Sequence, residues 1–511
     1  MDAVTLQILG NAFLAIAEEM EAALVRAADS PNITERRDCS TAVFDADGRM
    51  IVQAAAIPVH LGAMPEAVAA IRERDPRPGE VWALNDPYRG GTHLPDITLV
   101  APVAVDGRIV AYSVSRAHHA DVGGMSPGSM PAGSTELVQE GLIIPPTRIV
   151  VDDTANDDVV DLIVANSRTA GERRGDLAAQ LACHRLAERR FHEVVARHGL
   201  TTVRAAFDAL VDYAERRTRA AIAEMPDGSW EALEHLEGDG VTDDPIPLRV
   251  RVTVEGSTLH VDFTGTADAV AGNVNCPLAV TRSAVYFVVR AVTDPDIPSS
   301  AGAFAPVRIT APSGSVVNAG PPHAVAAGNV ETSSRIVDVL LAALGQGFPV
   351  PAQGQGTMNN VVIGTDAFSY YETLGGGQGA SPTADGPSAV HVAMSNTRNT
   401  PIEVLEIRFP LRVRTYAIRR GTGGTGLHRG GDGLERVIEM LEPVQVSVLA
   451  ERRRTSPSGA AGGGAGATGV TSLNGTVLPS KWRGSLRAGD VLVVATPGGG
   501  GFGTPPDEPA D

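Results

Sequence analysis

The chain has 511 residues, of which 43% are hydrophobic and 20% charged. This composition is ordinary for a globular protein, and the length is enough for roughly two to four domains. A formal net charge of −18 argues against nucleic acid as a partner, and no apolar run reaches the roughly 18 residues that a membrane-spanning helix needs.

The N-terminal segment predicts a helix followed by a hairpin. Residues 2–29 carry a helical apolar stripe with Asp2 as the N-cap, and Ser30-Pro31 ends it. Residues 41–44 and 50–53 then predict two strands joined at Asp47-Gly48. Asp38 lies just before the first strand, in a charged cluster that is most simply a salt-bridged surface. His60 is predicted to be structural or substrate-lining.

Residues 85–128 predict a second hairpin with polar ends. Two β-branched runs, residues 97–105 and 109–114, are separated by Asp106-Gly107, which is a typical hairpin turn. A glycine-rich polar turn flanks each run. Together these turns carry six side chains that could bind a metal or move protons: Asp86, His93, Asp96, His118, His119 and Asp121.

Because a hairpin brings its outer ends together, we expect His93, Asp96 and His118 to converge. Two imidazoles and a carboxylate with room for water form a common site for a catalytic divalent metal, and zinc, manganese and iron all accept such ligands. The simpler alternative is a turn stabilised by its own side chains. If a metal binds here, His119 and Asp121 are candidate catalytic residues that orient the ligands or move protons.

The rest of the chain predicts helices and then strands. Residues 133–141 are expected to form a loop over the site, with Glu136 and Glu140 lining it at best. Residues 157–225 predict helices broken near Gly171 and Gly199, and strands alternate from residue 248 onward.

We therefore predict a mixed α+β fold in two domains. An N-terminal metal-binding α/β domain covers residues 1–235 and includes the helical region 157–225. A β-rich C-terminal domain covers residues 236–511 and contains glycine-rich loops, of which residues 456–471 are expected to be mobile.

Two further observations concern compartment and chemistry. The three cysteines are scattered and odd in number, and the start of the chain lacks the pattern of a signal peptide, so we expect a cytoplasmic protein without disulfides. The only lysine is Lys481, and it does not follow a glycine. A P-loop for ATP is therefore missing from the sequence.

Several stretches resemble one protein family along the whole chain. NDPYRGGTHLPD and RAHHADVGG closely resemble the hydantoinase B/oxoprolinase family, as do SPNITERRDCS, IPVHLGAMPEAV, GNVNCPLAVTRSAVYF, AAGNVETSSRIVD and TPGGGGFGTP. The family includes the B-type subunits of ATP-dependent hydantoinases, lactamases such as caprolactamase, and subunits of acetone and acetophenone carboxylases.

The resemblance implies a function and a fourth ligand. It places Asp38 near the metal, and it suggests that Asn166, Arg168 and Asp176 face the site. It implies a hydrolytic B-type subunit that opens a small cyclic amide, after an A-type ATP-binding partner in a heteromer has phosphorylated the amide oxygen. A subunit of an acetone-type carboxylase and a non-catalytic assembly scaffold are the alternatives.

Overall fold

Four β-sheets and the helices packed on them make up the fold. The computed structural model describes residues 1–54 and 57–505. Over those residues, twenty strands form sheets of seven, four, four and five strands. The mixed α+β class predicted from the sequence is confirmed. No helix in the described part of the chain is both long enough and apolar enough to cross a membrane.

The helices fall mainly in the first half of the chain. They are α1 (Ala3–Ala27), α2 (Pro31–Thr34), α3 (Met64–Arg72), α4 (Asp157–Ala165), α5 (Ala170–His198), α6 (Leu200–Ala223), α7 (Leu278–Val292), α8 (Ala301–Phe304), α9 (Ser333–Leu344) and α10 (Ile402–Arg408).

The strands of the first sheet precede α4, and the other three sheets follow α6. The first seven are β1 (Cys39–Asp45), β2 (Met50–Ala54), β3 (Val81–Leu84), β4 (Asp96–Val105), β5 (Arg108–His118), β6 (Thr147–Val151) and β7 (Thr154–Ala155). The next six are β8 (Gly228–Leu236), β9 (Ile246–Glu255), β10 (Thr258–Asp262), β11 (Val307–Thr310), β12 (Asn360–Gly364) and β13 (Ser369–Glu372). The last seven are β14 (Leu411–Arg419), β15 (Gly433–Met440), β16 (Val444–Leu449), β17 (Val470–Leu473), β18 (Thr476–Val477), β19 (Lys481–Leu486) and β20 (Val491–Ala495).

The first helix forms for the reasons that its sequence suggests. The Asp2 side chain accepts a hydrogen bond from the backbone N–H of Thr5 at 2.9 Å, which confirms the predicted N-cap. The apolar stripe packs on the first sheet and on α5 and α6, and Phe13 contacts Phe191 and Phe207. Burying one such phenylalanine stabilises the fold by roughly 1.5–3 kcal/mol. This packing holds the sheet that carries the candidate ligands.

The first sheet has the strand order β2-β1-β5-β4-β3-β6-β7. Its β4–β5 hairpin confirms the prediction, with Asp106 and Gly107 in the left-handed region at φ 51° and 73°. Pairing runs from Val105 opposite Arg108 to Asp96 opposite His118. The register therefore places these last two residues side by side at the open end of the hairpin.

The predicted helical region is confirmed in outline, with a shifted break. The first interruption comes at residues 166–169, before Gly171, and the second at Gly199, whose φ of 79° suits glycine. Inside this region, His184 is buried between Ser113 and Ser115 of β5 and bonds to both hydroxyls. The sheet thus gains a buried polar link to α5.

The other sheets build the second half of the chain. The strand orders of these three sheets are β11-β10-β9-β8, β13-β12-β16-β19 and β14-β15-β20-β17-β18. The largest apolar cluster packs α7 and α9 against the β8–β11 sheet and also includes Val59 and Met130 from the N-terminal half. The domain boundary near residue 235 stays a prediction, since apolar residues from both of its sides share this cluster.

A packed core of glycine backbones lies beside the last two sheets. Backbone hydrogen bonds such as Gly499 N to Gly431 O (2.9 Å) join its segments. A Cβ added at Gly499 would lie 2.1 Å from the Gln378 oxygen, so only glycine allows this approach. The segments are residues 375–380, 422–433, 457–467 and 496–503. The stretch 456–471, expected to be a mobile loop, is therefore bonded into this core.

Gly499→Ala tests whether the glycine core stabilises the fold. The new methyl group would overlap a backbone oxygen, and we expect the free energy of unfolding to fall by about 1–3 kcal/mol. The matched control is Gly320→Ala, where a Cβ meets nothing within 4 Å and the change should stay below about 1 kcal/mol. Urea unfolding measures both, and equal stability of the two variants would contradict the account.

Candidate functional site

The open end of the β4–β5 hairpin brings three metal-binding side chains together. Asp96 begins β4, His118 ends β5, and His93 stands three residues before Asp96. One donor atom from each of the three lies within 4.8 Å of the others, and all three side chains are buried. The two imidazole rings are 5.0 Å apart between centroids. The convergence expected from the sequence is therefore observed.

Four donor atoms of this group lack hydrogen-bond partners in the described residues. Both ring nitrogens of His93, Nε2 of His118 and Oδ1 of Asp96 are buried and unpaired. Nitrogen–oxygen distances of 3.2 and 3.3 Å join the two imidazoles to the Asp96 carboxylate without the alignment of a hydrogen bond. Because an unpaired buried polar group costs about 1–3 kcal/mol, lone pairs gathered in this way fit a cation site. The donor set suits a divalent metal.

A second layer of side chains orients the carboxylate. Oδ2 of Asp96 accepts a hydrogen bond from the Thr92 hydroxyl at 2.5 Å and lies 3.3 Å from Nε2 of His60. The other nitrogen of His60 is 2.8 Å from the Ser40 hydroxyl. This chain from Ser40 to Asp96 fixes Oδ2 and leaves Oδ1 beside the His118 imidazole, as partners of metal ligands commonly do.

Burial and neighbouring groups act on Asp96 and His118. Burial alone would raise the pKa of Asp96, but the nearby imidazoles of His93, His118 and His60 hold that pKa well below its ordinary value. Burial lowers the pKa of His118 and outweighs the opposing effect of Asp96. Asp96 therefore favours the anion and His118 the neutral imidazole, which are the forms that bind metals.

The three side chains face a narrow cavity closed by the second half of the chain. Asp38, His60 and Val59 complete the near wall. The far wall is formed by residues that follow residue 328 in the chain, and the space between the walls holds about one water molecule or ion. The far-wall residues are Asn329, Val330, Met358, Tyr371, Thr373, Met394, Ser395 and Thr397.

Asp38 lies beside the group of three rather than within it. Its backbone oxygen accepts a hydrogen bond from the His118 N–H at 2.9 Å, and its carboxylate is 3.7 Å from the Arg36 guanidinium. The side chain is buried and lines the same cavity. A role as the fourth ligand stays a prediction, which this position supports.

His119 and Asp121 lie on the helix side of the sheet. Nε2 of His119 is 2.9 Å from Oε1 of Gln180 in α5, and burial, with the charge of Arg173, lowers the pKa of His119 to about 4. Asp121 pairs with Arg168 at 3.1 Å and accepts hydrogen bonds from loop N–H groups. Their catalytic roles stay predictions, and these contacts favour positioning of the segment after β5 over proton transfer.

The other candidate residues have partners away from the cavity. Glu140 is buried, with a pKa that burial raises to about 7, and it accepts hydrogen bonds from the N–H groups of Val325 and Ala326. Glu136 is exposed. The Asp176 carboxylate accepts a hydrogen bond from the backbone N–H of Ser30 at 3.0 Å. Among the described residues that line the cavity, none belongs to residues 133–141, which were predicted to form a loop over the site.

Sequence reasoning missed the far wall. The Tyr371 ring stacks on His118 at 4.5 Å and 12°, and its hydroxyl donates to Asn360. Asn329 lies in a π-helical turn, Gly328–Thr332, where a Cβ at residue 328 would lie 1.8 Å from the Asn275 oxygen. The Oδ1 atom of Asn329 is buried and unpaired. Such turns often occur at functional sites, and the family resemblance of the AAGNVET stretch was the one sequence signal for this part of the wall.

Sequence comparisons with known proteins point to one protein family. A sequence model of the family described as Hydantoinase B/oxoprolinase matches residues 2–505. The chain is 38% identical to 5-oxoprolinase 1 of Arabidopsis thaliana over 98% of its own length, but spans only 42% of that protein. It is 31% identical to the putative B-type subunit of a D-/L-hydantoinase from Pseudomonas sp., covering 99% of this chain and 90% of that one.

Two solved structures share the fold. The ATP-dependent caprolactamase from Pseudomonas jessenii superposes with a TM-score of 0.92 at 27% identity, over 99% of this chain and 92% of that one. The nucleotide-free structure of an acetone carboxylase gives a TM-score of 0.90 at 18% identity, over 99% of this chain and 76% of that one. At that identity, the second likeness concerns the fold alone.

His93→Ala and His118→Ala test the cation site directly. Each variant removes one of three converging donors, so we expect the content of divalent metal to fall from about one ion per chain to near zero. The matched control is His184→Ala. It removes a buried histidine whose hydrogen-bond partners, among the described residues, are the hydroxyls of Ser113 and Ser115. Elemental analysis after loading and dialysis measures the content, and unchanged metal in both site variants would contradict the assignment.

Proposed function

The chain belongs to the hydantoinase B/oxoprolinase family, and from this we propose that it is the metal-dependent hydrolytic subunit of an ATP-dependent cyclic-amide hydrolase. The observation that carries the proposal is the convergence of unpaired donors on His93, Asp96 and His118. An amide bond in an unstrained ring is a poor electrophile. Opening it requires both activation of the amide and activation of water.

The side chains of this chain would activate the water. His93, Asp96 and His118 would hold a divalent ion, with Asp38 beside them as the fourth ligand. When bound, such an ion supplies Lewis acidity, which activates water near neutral pH. His60 and Thr92 would keep the Asp96 carboxylate oriented toward the ion. The buried walls would limit the water that reaches the reacting carbon.

A partner subunit would activate the amide. The sequence contains no P-loop, the relative in Pseudomonas sp. is named as one subunit of a hydantoinase, and the A. thaliana relative is more than twice as long as the matched region. We infer an A-type subunit that transfers a phosphoryl group from ATP to the amide oxygen. In ring opening, one water adds to the amide carbon and the C–N bond breaks, with its electron pair and a proton going to nitrogen. A second water then releases inorganic phosphate.

ATP-coupled ring opening by the complex with its A-type partner tests the proposal. We expect neither subunit alone to open hydantoin, 5-oxoproline or caprolactam, whereas the complex opens at least one of them. His118→Ala should lower the turnover at least about 100-fold, because the water loses its activating ion. The matched control, His192→Ala, removes a surface histidine that bonds to the Ala104 oxygen.

Two results would contradict the proposal. One is full ATP-coupled turnover in the His118→Ala complex, since the reaction would then proceed without the site. The other is turnover that requires bicarbonate and produces a carboxylated product without ring opening, which would instead favour the carboxylase alternative. Removal of metal with a chelator and restoration by zinc, manganese or iron would identify the ion that works.

A further inference from the structure

The cavity wall opposite the metal ligands carries three hydroxyl groups that the water chemistry does not use. Thr373, Ser395 and Thr397 all line the cavity and are buried. Thr373 lies two residues after Tyr371, whose ring stacks on His118, and the Thr397 hydroxyl is 2.7 Å from that of Thr373. The three hydroxyls therefore lie at the edge of the candidate metal site, in a position to contact a substrate held there.

A buried guanidinium group donates hydrogen bonds to two of these hydroxyls. Arg36 is fully buried, and its Nη2 donates to the hydroxyl oxygens of Thr373 and Thr397 at 3.0 and 3.3 Å. Its Nη1 donates to the Tyr371 carbonyl at 3.1 Å. The Asp38 carboxylate, at 3.7 Å, is the counter-charge nearest to it among the ion pairs of the described residues.

The hydrogen bonds of the two threonines leave one donor unused. The hydroxyl oxygens of Thr373 and Thr397 are 2.7 Å apart, so one of their two protons lies between them. Both oxygens also accept from Arg36, which directs the protons away from the guanidinium. The second proton has no acceptor among the hydrogen bonds of the described residues. Both side chains line the cavity, so this proton is available to a ligand there.

The third hydroxyl extends the same surface. The Ser395 oxygen is 2.7 Å from Nδ1 of His391, which holds the side chain in place at the cavity wall. Hydroxyl groups polarised by a neighbouring cation in a buried setting make strong hydrogen bonds to anionic oxygens. The near wall, in contrast, carries the carboxylates of Asp38 and Asp96, which repel an anion unless positive charge lies close to them.

We propose that Thr373 and Thr397, backed by the Arg36 guanidinium, form a subsite for a negatively charged oxygen group of the substrate. Under the proposed function, on which this inference rests, that group is the phosphoryl group of the activated amide. A carboxylate attached to the ring has the same oxygen chemistry and is the other source. The subsite takes one oxygen of that group, since the cavity between the walls has room for about one water molecule or ion.

Thr373→Val and Thr397→Val remove each hydroxyl while keeping the shape of the side chain. We expect metal-loaded chain carrying either change to bind inorganic phosphate at least about 10-fold more weakly in calorimetry, because a charge-assisted hydrogen bond is lost. The KM of the complex should rise by a similar factor, with the metal content unchanged. Thr373→Ser keeps the oxygen and should retain both properties.

The matched control is Thr41→Val, which removes a buried hydroxyl that donates to the Ala17 oxygen at 2.6 Å in the first sheet. It should leave phosphate binding and KM at the wild-type values. Where a valine variant does not fold, Thr373→Ala or Thr397→Ala serves in its place. Comparison of hydantoin with 5-oxoproline separates the two sources, since only the second carries a carboxylate.

Each outcome bears on the subsite. Weaker phosphate binding with a higher KM for both rings supports the phosphoryl group, and a higher KM for 5-oxoproline alone supports the carboxylate. Folded, metal-loaded valine variants that bind phosphate and turn over both rings as the wild type does would overturn the inference. If the wild-type complex opens no ring, the proposed function fails, whereas hydroxyl-dependent phosphate binding would still support the subsite.

Discussion

The antiparallel register that sets Asp96 opposite His118 is the constraint on which the site depends. A slip of one residue would turn every side chain of one strand to the other face, and the carboxylate would then point away from His118. The tight Asp106-Gly107 turn and a one-residue register shift between Val103 and Ala104 together set the pairing at the open end, and the packing of α1 and α5 on the sheet holds it along its length. The candidate ligands therefore sit on rigid strand ends.

Residues from the second half of the chain close the cavity at the open end of the β4–β5 hairpin. The π-helical turn Gly328–Thr332, the β13 strand and loop residues near 358 and 394–397 form the far wall of the cavity. The glycine core bonds to the segment before Met358, where the Gln355 N–H donates to the Gly377 oxygen at 2.8 Å, and only backbones without side chains pack so closely in it. The stacking of Tyr371 on His118 joins the two halves at the point where the chemistry would occur.

The convergence of His93, Asp96 and His118 could be predicted from the residues themselves, and the far wall could not. His93, Asp96 and His118 belong to one hairpin, so turn chemistry and strand periodicity were enough to bring them together. Tyr371 and Asn329 reach the site from more than 200 positions away, and local patterns carry no information about such contacts. The glycine-rich stretches were interpreted as loops because composition does not distinguish a mobile segment from a packed backbone core. The shifted helix break near residue 166 reflects the ordinary imprecision of helix ends.

Anomalous X-ray diffraction from crystals of the metal-loaded chain, recorded at the absorption edge of the bound metal, would test the central claim most directly. The account predicts one strong peak at the open end of the hairpin, at roughly 2.0–2.2 Å from donor atoms of His93, Asp96 and His118. A peak elsewhere in the chain, or a fully loaded crystal in which these three side chains bond only to water, would contradict it.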